Sequence, residues 1–382
     1  MAKKALVIAA LAGFISTFLK HDVELLQERG YEVHCAGNAK NKTEEEKANL
    51  FKDWGIKFHQ IDFSSNSPFS KETIIAWKQV RALLREHNFD VIHCHTPIPG
   101  AIVRLAAIPY RRNGAKVIYT SHGFYFHKGS GTKEWLVYYP IEKLMSVFGD
   151  AIITINMEDF AVAQRMYSRQ VFHINGVGCN TEKYRNVEVD REVKRKSLGI
   201  THDQIAILDV GELSSRKNHG IVIEALAETN TENIVLVICG KAIKGAGTYE
   251  SLKQKAEDLG VNVIFAGHRS DIPELCHCVE FGVLASKREG LGLSGIEMLS
   301  AGLPLVTSNV HGIRDYMRDG VTGFMCDPDN KIEFAKAIKK LCDPQLRASM
   351  RDECIKMAKN FDNAVSFQQM EEIYDAVLKR ER

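Results

Sequence analysis

Short continuous apolar runs alternate along the chain with stretches in which apolar residues recur every three or four positions. Residues 5–10, 33–36, 91–94, 116–120 and 151–155 are unbroken and rich in β-branched side chains, the pattern of strands buried on both faces of a parallel sheet. Helical patterns run between them, one through Leu26 and another over 74–86, so the first half predicts a doubly wound α/β domain. The rhythm fails between Asn175 and Arg195, where Gly, Asn and charge dominate. It restarts over 206–210, 234–239, 263–266, 281–285 and 305–307, predicting a second α/β domain. Val365, Met370, Ile373, Val377 and Leu378 then recur near helical spacing, predicting a closing amphipathic helix. The organisation read from the pattern is 1–175, a Rossmann-like domain; 176–362, a second one; and 363–382, a helix that crosses back to the first. Two such domains predict a cleft between the carboxyl ends of their strands, where open α/β sheets bind ligands.

The length of 382 residues suits two domains, each large enough for its own core. With 45% hydrophobic and 26% charged residues, the balance is that of a folded soluble chain and not of a disordered or fibrous one. No apolar run reaches the ~20 residues of a spanning helix, and the opening run reads as a first strand and not as a secretory leader. Nine scattered cysteines fit reduced thiols in a cytoplasmic compartment. Residues 1–175 carry 22 Lys+Arg against 17 Asp+Glu, so the basic excess sits in the first half. Without basic runs or interleaved aromatics this argues against nucleic acid and for an anionic acceptor or membrane surface.

The most informative segment is Glu289-Gly-Leu-Gly-Leu-Ser-Gly-Ile-Glu297, two carboxylates eight residues apart in a strand-to-helix loop. Its glycines allow close approach of a ligand to the backbone, and amides at a helix start can donate to hydroxyl or phosphate oxygens. A plainer account fits the same letters: Ser294-x-x-Glu297 and Ser286-x-x-Glu289 both match a helix capping box. Lys217 alone would be a solvated surface lysine, and His122, after the strand at 116–120, would be a structural hydrogen-bonding residue. His93 and His95 share a strand face by period alone, and Cys276-His-Cys278 lacks a second pair, so no metal site is expected. No Walker loop, G-x-S-x-G or spaced dinucleotide fingerprint supports an ATPase, hydrolase or dehydrogenase.

The run from Ser286 through Glu289-Gly-Leu-Gly-Leu-Ser-Gly-Ile-Glu297 to Val306, followed by Gly312-Ile-Arg-Asp315 and Gly320-Val-Thr-Gly323, resembles the carboxyl-terminal signature of family-4 retaining glycosyltransferases. The resemblance implies a GT-B fold, in which Glu289 contacts the donor sugar, Glu297 the nucleotide ribose, and the amides of Gly292, Leu293 and Ser294 the sugar and diphosphate. Gly211-Glu-Leu-Ser-Ser-Arg-Lys217 resembles the family's diphosphate-binding segment. There Lys217 carries over, Glu212 stands where the family has an Arg, and Arg216 is a substitute cation. His122 matches the family's sugar-contacting His, and Gly13 a small-residue turn near the donor phosphates.

Residues 134–148 place Val137, Ile141, Leu144, Met145 and Phe148 on one stripe, with Trp135, Leu136, Tyr138 and Tyr139 outside it. That is more apolar surface than one core face needs. With Arg104, Arg111, Arg112, Lys128 and Lys133 it predicts contact with an anionic membrane or a lipid diphosphate acceptor, against the alternative of an ordinary buried helix. The segments HTPIPG, YTSHGFYFHKG, YYPIEKL and ITINMED resemble the capsule and exopolysaccharide branch of the family. Together these imply transfer from a nucleotide sugar, such as a UDP-sugar, to a polyprenyl-diphosphate-linked saccharide at the inner face of a membrane, without cofactor or metal. An epimerase of the same architecture, or a non-catalytic nucleotide-sugar binder, are the alternatives.

Overall fold

The computed structural model describes residues 2–63, 70–229, 231, 233–243 and 248–379. The chain divides into two compact units, Met1–Val177 with Ser366–Arg382, and Gly178–Val365.

In the first unit the strands are β1 (Lys3–Leu11), β2 (Tyr31–Asn38), β3 (Lys57–Gln60), β4 (Val91–His95), β5 (Lys116–Ser121), β6 (Ala151–Thr154) and β7 (Gln170–His173). They form one sheet in the order β3-β2-β1-β4-β5-β6-β7, with every pairing parallel. Residues 5–9 of β1 and 91–95 of β4 are buried, since helices cover both faces of the sheet centre. The second unit repeats the plan with β8 (Ile205–Val210), β9 (Ile234–Cys239), β10 (Val263–Gly267), β11 (Phe281–Leu284), β12 (Leu305–Ser308) and β13 (Gly323–Cys326). Their order is β10-β9-β8-β11-β12-β13, again all parallel.

In each sheet the chain winds outward in one direction and then returns to the centre to wind outward in the other. The reversal falls between β1 and β4 in the first unit and between β8 and β11 in the second. Loops leaving neighbouring strands at such a point diverge to opposite faces and leave a crevice at the strand carboxyl ends.

The pattern missed β3, β7 and β13. All three are four-residue strands at sheet edges; KFHQ and QVFH mix polar with apolar letters, and GFMC opens on a glycine and has only three apolar side chains in a row.

The closing helix, Asn363–Leu378, buries Ser366, Met370, Ile373, Tyr374 and Val377. From Ser366 onward it belongs to the first unit. Phe367 stacks on His21 at 3.7 Å between ring centroids, Ser366 Oγ donates to the Asn175 carbonyl at 3.0 Å, and Arg29 pairs with Asp375 at 2.6 Å. Among the described residues no helix is long and apolar enough to cross a membrane.

Candidate active site

In the second unit the chemistry gathers where the strand order reverses. The loop after β8 carries Gly211, Glu212, Arg216 and Lys217, and the loop after β11 carries Ser286 and Glu289. The two loops are tied directly, Lys287 N donating to the Arg216 carbonyl at 2.9 Å. Glu289 is 7% exposed. One of its oxygens, Oε1, accepts from Lys217 Nζ at 2.7 Å, from Ser286 Oγ at 2.7 Å and from Arg216 at 3.1 Å. Burial pushes this carboxyl up, but Lys217 and Arg216 outweigh it and hold its pKa below the ordinary value. Glu289 is therefore a buried carboxylate that stays ionised because two cations converge on one of its oxygens.

Glu212 faces the same cluster from its exposed side. Its Oε1 accepts from Arg216 at 3.1 Å and from Ser214 Oγ at 3.2 Å. Arg216 thus bridges two carboxylates. Behind the loop, buried His219 joins Asp209 at 2.7 Å and donates or accepts through its other nitrogen at the Glu212 carbonyl, 3.0 Å away; facing a carbonyl oxygen, that nitrogen is the donor. Burial pushes the His219 pKa down, but Asp209 more than offsets it and raises it. The sequence signal for this support was Asp209 itself, a carboxylate inside an otherwise apolar strand, which requires a buried partner.

The helix Leu293–Ser300 starts beside Glu289, and its N-cap is Gly292 in a left-handed conformation at φ 84°. A side chain there would be strained by its backbone and would press on the Tyr316 hydroxyl, which donates to the Gly292 carbonyl at 3.2 Å. Gly312 is also required: a Cβ on it would lie 2.5 Å from the Gly290 carbonyl. These glycines allow the loop after β12 to press on the Glu289 loop and fix the helix start. Neither capping box forms. Ser294 lies inside the helix and not at its N-cap, and its buried hydroxyl finds no partner among the described residues. Ser286 bonds the Glu289 side chain with no helix beginning there. Glu297 instead faces the Tyr184 hydroxyl, and burial raises its pKa. Thr307 and Ser308, buried at the carboxyl end of β12, likewise have hydroxyls without partners among the described residues. Orphan hydroxyls at a strand end beside a helix N-terminus are a polar lining suited to a ligand rich in oxygen.

In the first unit His122 follows β5, and its Nε2 lies 3.1 Å from Nδ1 of His95 at the end of β4. The edge of Phe14, in the helix Ala12–Phe18, packs on the His122 ring with centroids 4.7 Å apart. Gly13 lies in the first turn of that helix, and a Cβ there would meet nothing closer than Lys42 at 3.8 Å. The His95 ring in turn lies 4.1 Å from that of His93, whose nitrogens reach Thr120 Oγ1 at 2.8 Å and the Tyr374 hydroxyl at 2.7 Å. Tyr374 also donates to buried Asp22 at 3.2 Å. Burial pushes His93 and His122 each down to about 3, and burial and the two neighbouring histidines hold His95 well below the ordinary imidazole value. The same effect raises Asp22 to about 7. A small cavity lined by His21, Asp22, His95, Thr120 and His122 opens here, and His95 Nε2 has no partner among the described residues. His95 shares a face with His93 by strand period, but only the fold brings it to His122.

The basic and aromatic set divides differently from the expectation. Arg104 is fully buried: it pairs with Glu142 at 2.6 Å, donates to the Gly100 carbonyl at 2.8 Å and lies over the Tyr119 ring at 4.1 Å. It cannot meet a membrane or acceptor from there, because the helix Pro97–Ala106 turns it inward onto the helix Thr132–Met145. Arg111 makes a two-pronged pair with Asp150, both contacts 3.0 Å, while Arg112 is exposed. Trp135 and Tyr138 pack on the core cluster, and Trp135 Nε1 donates to the His127 carbonyl at 3.2 Å. The apolar residues turned outward are instead Leu136, 72% exposed, with Leu144 and Val147.

Residues 190–361 match the model of the group 1 glycosyl transferases, and residues 7–156 match that of the glycosyl transferase 4-like family. A Bacillus subtilis (strain 168) protein named "Putative glycosyltransferase EpsD" is 34% identical over 99% of this chain and 98% of its own. An Escherichia coli UDP-Gal:alpha-D-GlcNAc-diphosphoundecaprenol alpha-1,3-galactosyltransferase is 27% identical over 71% of each chain. The Anabaena Alr3699/HepE structure, in complex with UDP and glucose, superposes with a TM-score of 0.79 at 19% identity, covering 98% of this chain and 100% of that one. Two parallel Rossmann-like sheets, with a carboxylate and cations at a strand-order reversal, are thus those of a glycosyltransferase of GT-B type. The chain belongs to the family-4 glycosyltransferases.

Proposed function

We propose that the protein is a retaining glycosyltransferase. It moves a hexosyl or N-acetylhexosaminyl residue from a UDP-sugar to a polyprenyl-diphosphate-linked saccharide, in assembly of an exopolysaccharide or capsule. The observation that carries the donor half is the convergence of Lys217 and Arg216 on Glu289 beside the helix start at Gly292. Breaking the bond between the sugar C1 and the phosphate oxygen sends its electron pair onto the diphosphate. A fixed cation there is worth more in the transition state than before it. Lys217 and Arg216 supply that cation, and the amides of Gly292, Leu293 and Ser294 supply donors for the same oxygens. Glu289 accepts from the sugar hydroxyls and Glu297 from the ribose. No side chain of this set is an unencumbered nucleophile, which favours front-face substitution. The acceptor hydroxyl forms the new C1–O bond on the face the diphosphate leaves, and its proton passes to the departing phosphate oxygen.

The first unit is read as the acceptor side, with His122 as a neutral hydrogen-bonding group. Support for a lipid-linked acceptor comes from the activity for which the Escherichia coli relative is named and from exposed Leu136, Leu144 and Val147 with Arg112, Lys128 and Lys133 also exposed. The same surface supports peripheral association with a membrane from the cytoplasmic side, with no metal or cofactor in the transfer itself.

The test is transfer of radiolabelled sugar from UDP-sugars to undecaprenyl-diphosphate-linked acceptors by wild type, Glu289→Ala and Lys217→Ala. Full activity in both variants overturns the site, and an inverted anomeric centre in the product overturns retention. Conversion of donor without acceptor identifies an epimerase instead.

A further inference from the structure

Away from the carboxyl-end loops, three histidines distant in sequence meet at one side of the first unit's sheet. His34 lies on β2 and His59 on β3; His34 registers with Lys57 and Ala36 with His59, so both side chains project from the same face. His87 ends the helix Lys71–His87 that packs on that face. One ring nitrogen from each lies within 4.8 Å of the others, and His34 Nδ1 is 2.9 Å from His59 Nε2. Tetrahedral zinc with bonds of about 2.0–2.1 Å sets its nitrogen ligands about 3.3 Å apart, so the cluster closes on such an ion with shifts of under about 1.5 Å.

The far nitrogen of His34, Nε2, lies 3.2 Å from Glu32, which is itself held by Lys57 at 2.5 Å. A carboxylate on the outer nitrogen fixes the tautomer and turns Nδ1 inward as the ligand atom, the arrangement that accompanies metal-bound histidine. His34 is fully buried, His59 and His87 partly so, leaving one open side.

We propose that His34, His59 and His87 form a three-histidine site for a borderline divalent transition metal, Zn²⁺ foremost, with Glu32 as its outer partner and water completing the shell. Three imidazoles without a thiolate or further carboxylate suit zinc over magnesium or calcium. The site ties the short edge strand β3, which pairs only with β2, to the end of a helix, and is a structural or regulatory clamp separate from the sugar-transfer chemistry.

Chelator-treated full-length protein is titrated with Zn²⁺ by calorimetry and with Co²⁺ by visible absorption. The expected result is one equivalent per chain and the d–d bands of four-coordinate cobalt with nitrogen donors. His59→Gln and His87→Gln, at partly exposed positions and checked by circular dichroism, each weaken binding at least tenfold, and Glu32→Gln weakens it by about 10–100-fold. Zinc also raises the Tm of wild type but not of the two histidine variants. No binding, binding unchanged in both histidine variants, or cobalt–thiolate charge-transfer bands from the nine cysteines would overturn the proposal. In that event the cluster is a stack of rings packed on Phe89.

Discussion

The two units share one winding plan, yet they solve the electrostatics of their buried polar residues in opposite ways. At the reversal in the second unit, a buried carboxylate stays ionised because Lys217 and Arg216 lie on one of its oxygens. In the first, three histidines and an aspartate sit where burial favours the uncharged form of each. A buried charge costs several kcal/mol unless it is paired, and a buried neutral imidazole costs little once it is hydrogen-bonded. The charged arrangement suits a ligand that carries charge and gains more in reaction. The neutral one suits hydroxyl groups that must be recognised but not polarised strongly. The same backbone plan therefore carries two opposite electrostatic arrangements.

The sharpest way to break this contrast is to remove a charge from the neutral unit. Arg104→Leu leaves Glu142 buried without its partner, and a loss of about 3–5 kcal/mol in unfolding free energy is expected in denaturant titration. A loss below about 1 kcal/mol would mean that this unit tolerates unpaired charge. Next in size, Lys217→Met lowers kcat by about 10²–10³-fold, the scale of deleting one fixed transition-state donor. The neutral variant His122→Gln, measured by the same transfer assay, loses about tenfold or less, the scale of one hydrogen bond. Equal losses in the two would erase the distinction.

A third measurement uses pH. Asp22 has a folded pKa of about 7 against an ordinary value of 3.8, so between those limits the folded state holds a proton that the unfolded state has released. The stability it contributes is present below the unfolded pKa and is lost as pH rises through the folded one. Asp22→Asn should therefore gain on wild type by about 3–4 kcal/mol in chemical denaturation between pH 4 and 7. A constant gap across that range would place the shift elsewhere. The smallest effect is expected at Glu212→Gln, which frees one arm of Arg216. Because that pair is largely solvent-exposed, the donor KM should fall by no more than about fivefold in initial-rate kinetics.

The central strands were legible because burial on both faces leaves unbroken apolar letters, as in β9, whose bounds of Ile234–Cys239 coincide with the run. Strands β3, β7 and β13 were not, because β3 and β7 mix polar with apolar letters and β13 has only three apolar side chains in a row, whereas the edge strand β10 keeps a longer apolar run. At the site, the Glu289 segment and Lys217 were visible as a motif, but their contact was not, since the residues are separated by 72 positions. Ser294 and Glu297 misled: the letters of a capping box are present, but left-handed Gly292 takes the N-cap two residues earlier and places Ser294 inside the helix. Arg104 misled for a related reason. A basic residue in a helix reads as solvated until the facing helix is known to bring Glu142 to it. Tyr184 carried no local signal, and the partners of His95 and His219 come only through tertiary packing, although Asp209 in an apolar strand signalled the second.

The return of the closing helix to the first unit bears on how the protein is made. Residues 1–177 leave the ribosome well before 366–379 exist, and until then Asp22 and His93 lack the Tyr374 hydroxyl that links them. The second unit is contiguous and can complete its sheet during synthesis, whereas the first must wait with part of its apolar surface uncovered. Ribosome-bound chains of intermediate length should therefore engage chaperones through the earlier unit, and a stop codon placed before Tyr374 should leave that unit, more than its neighbour, open to proteolysis.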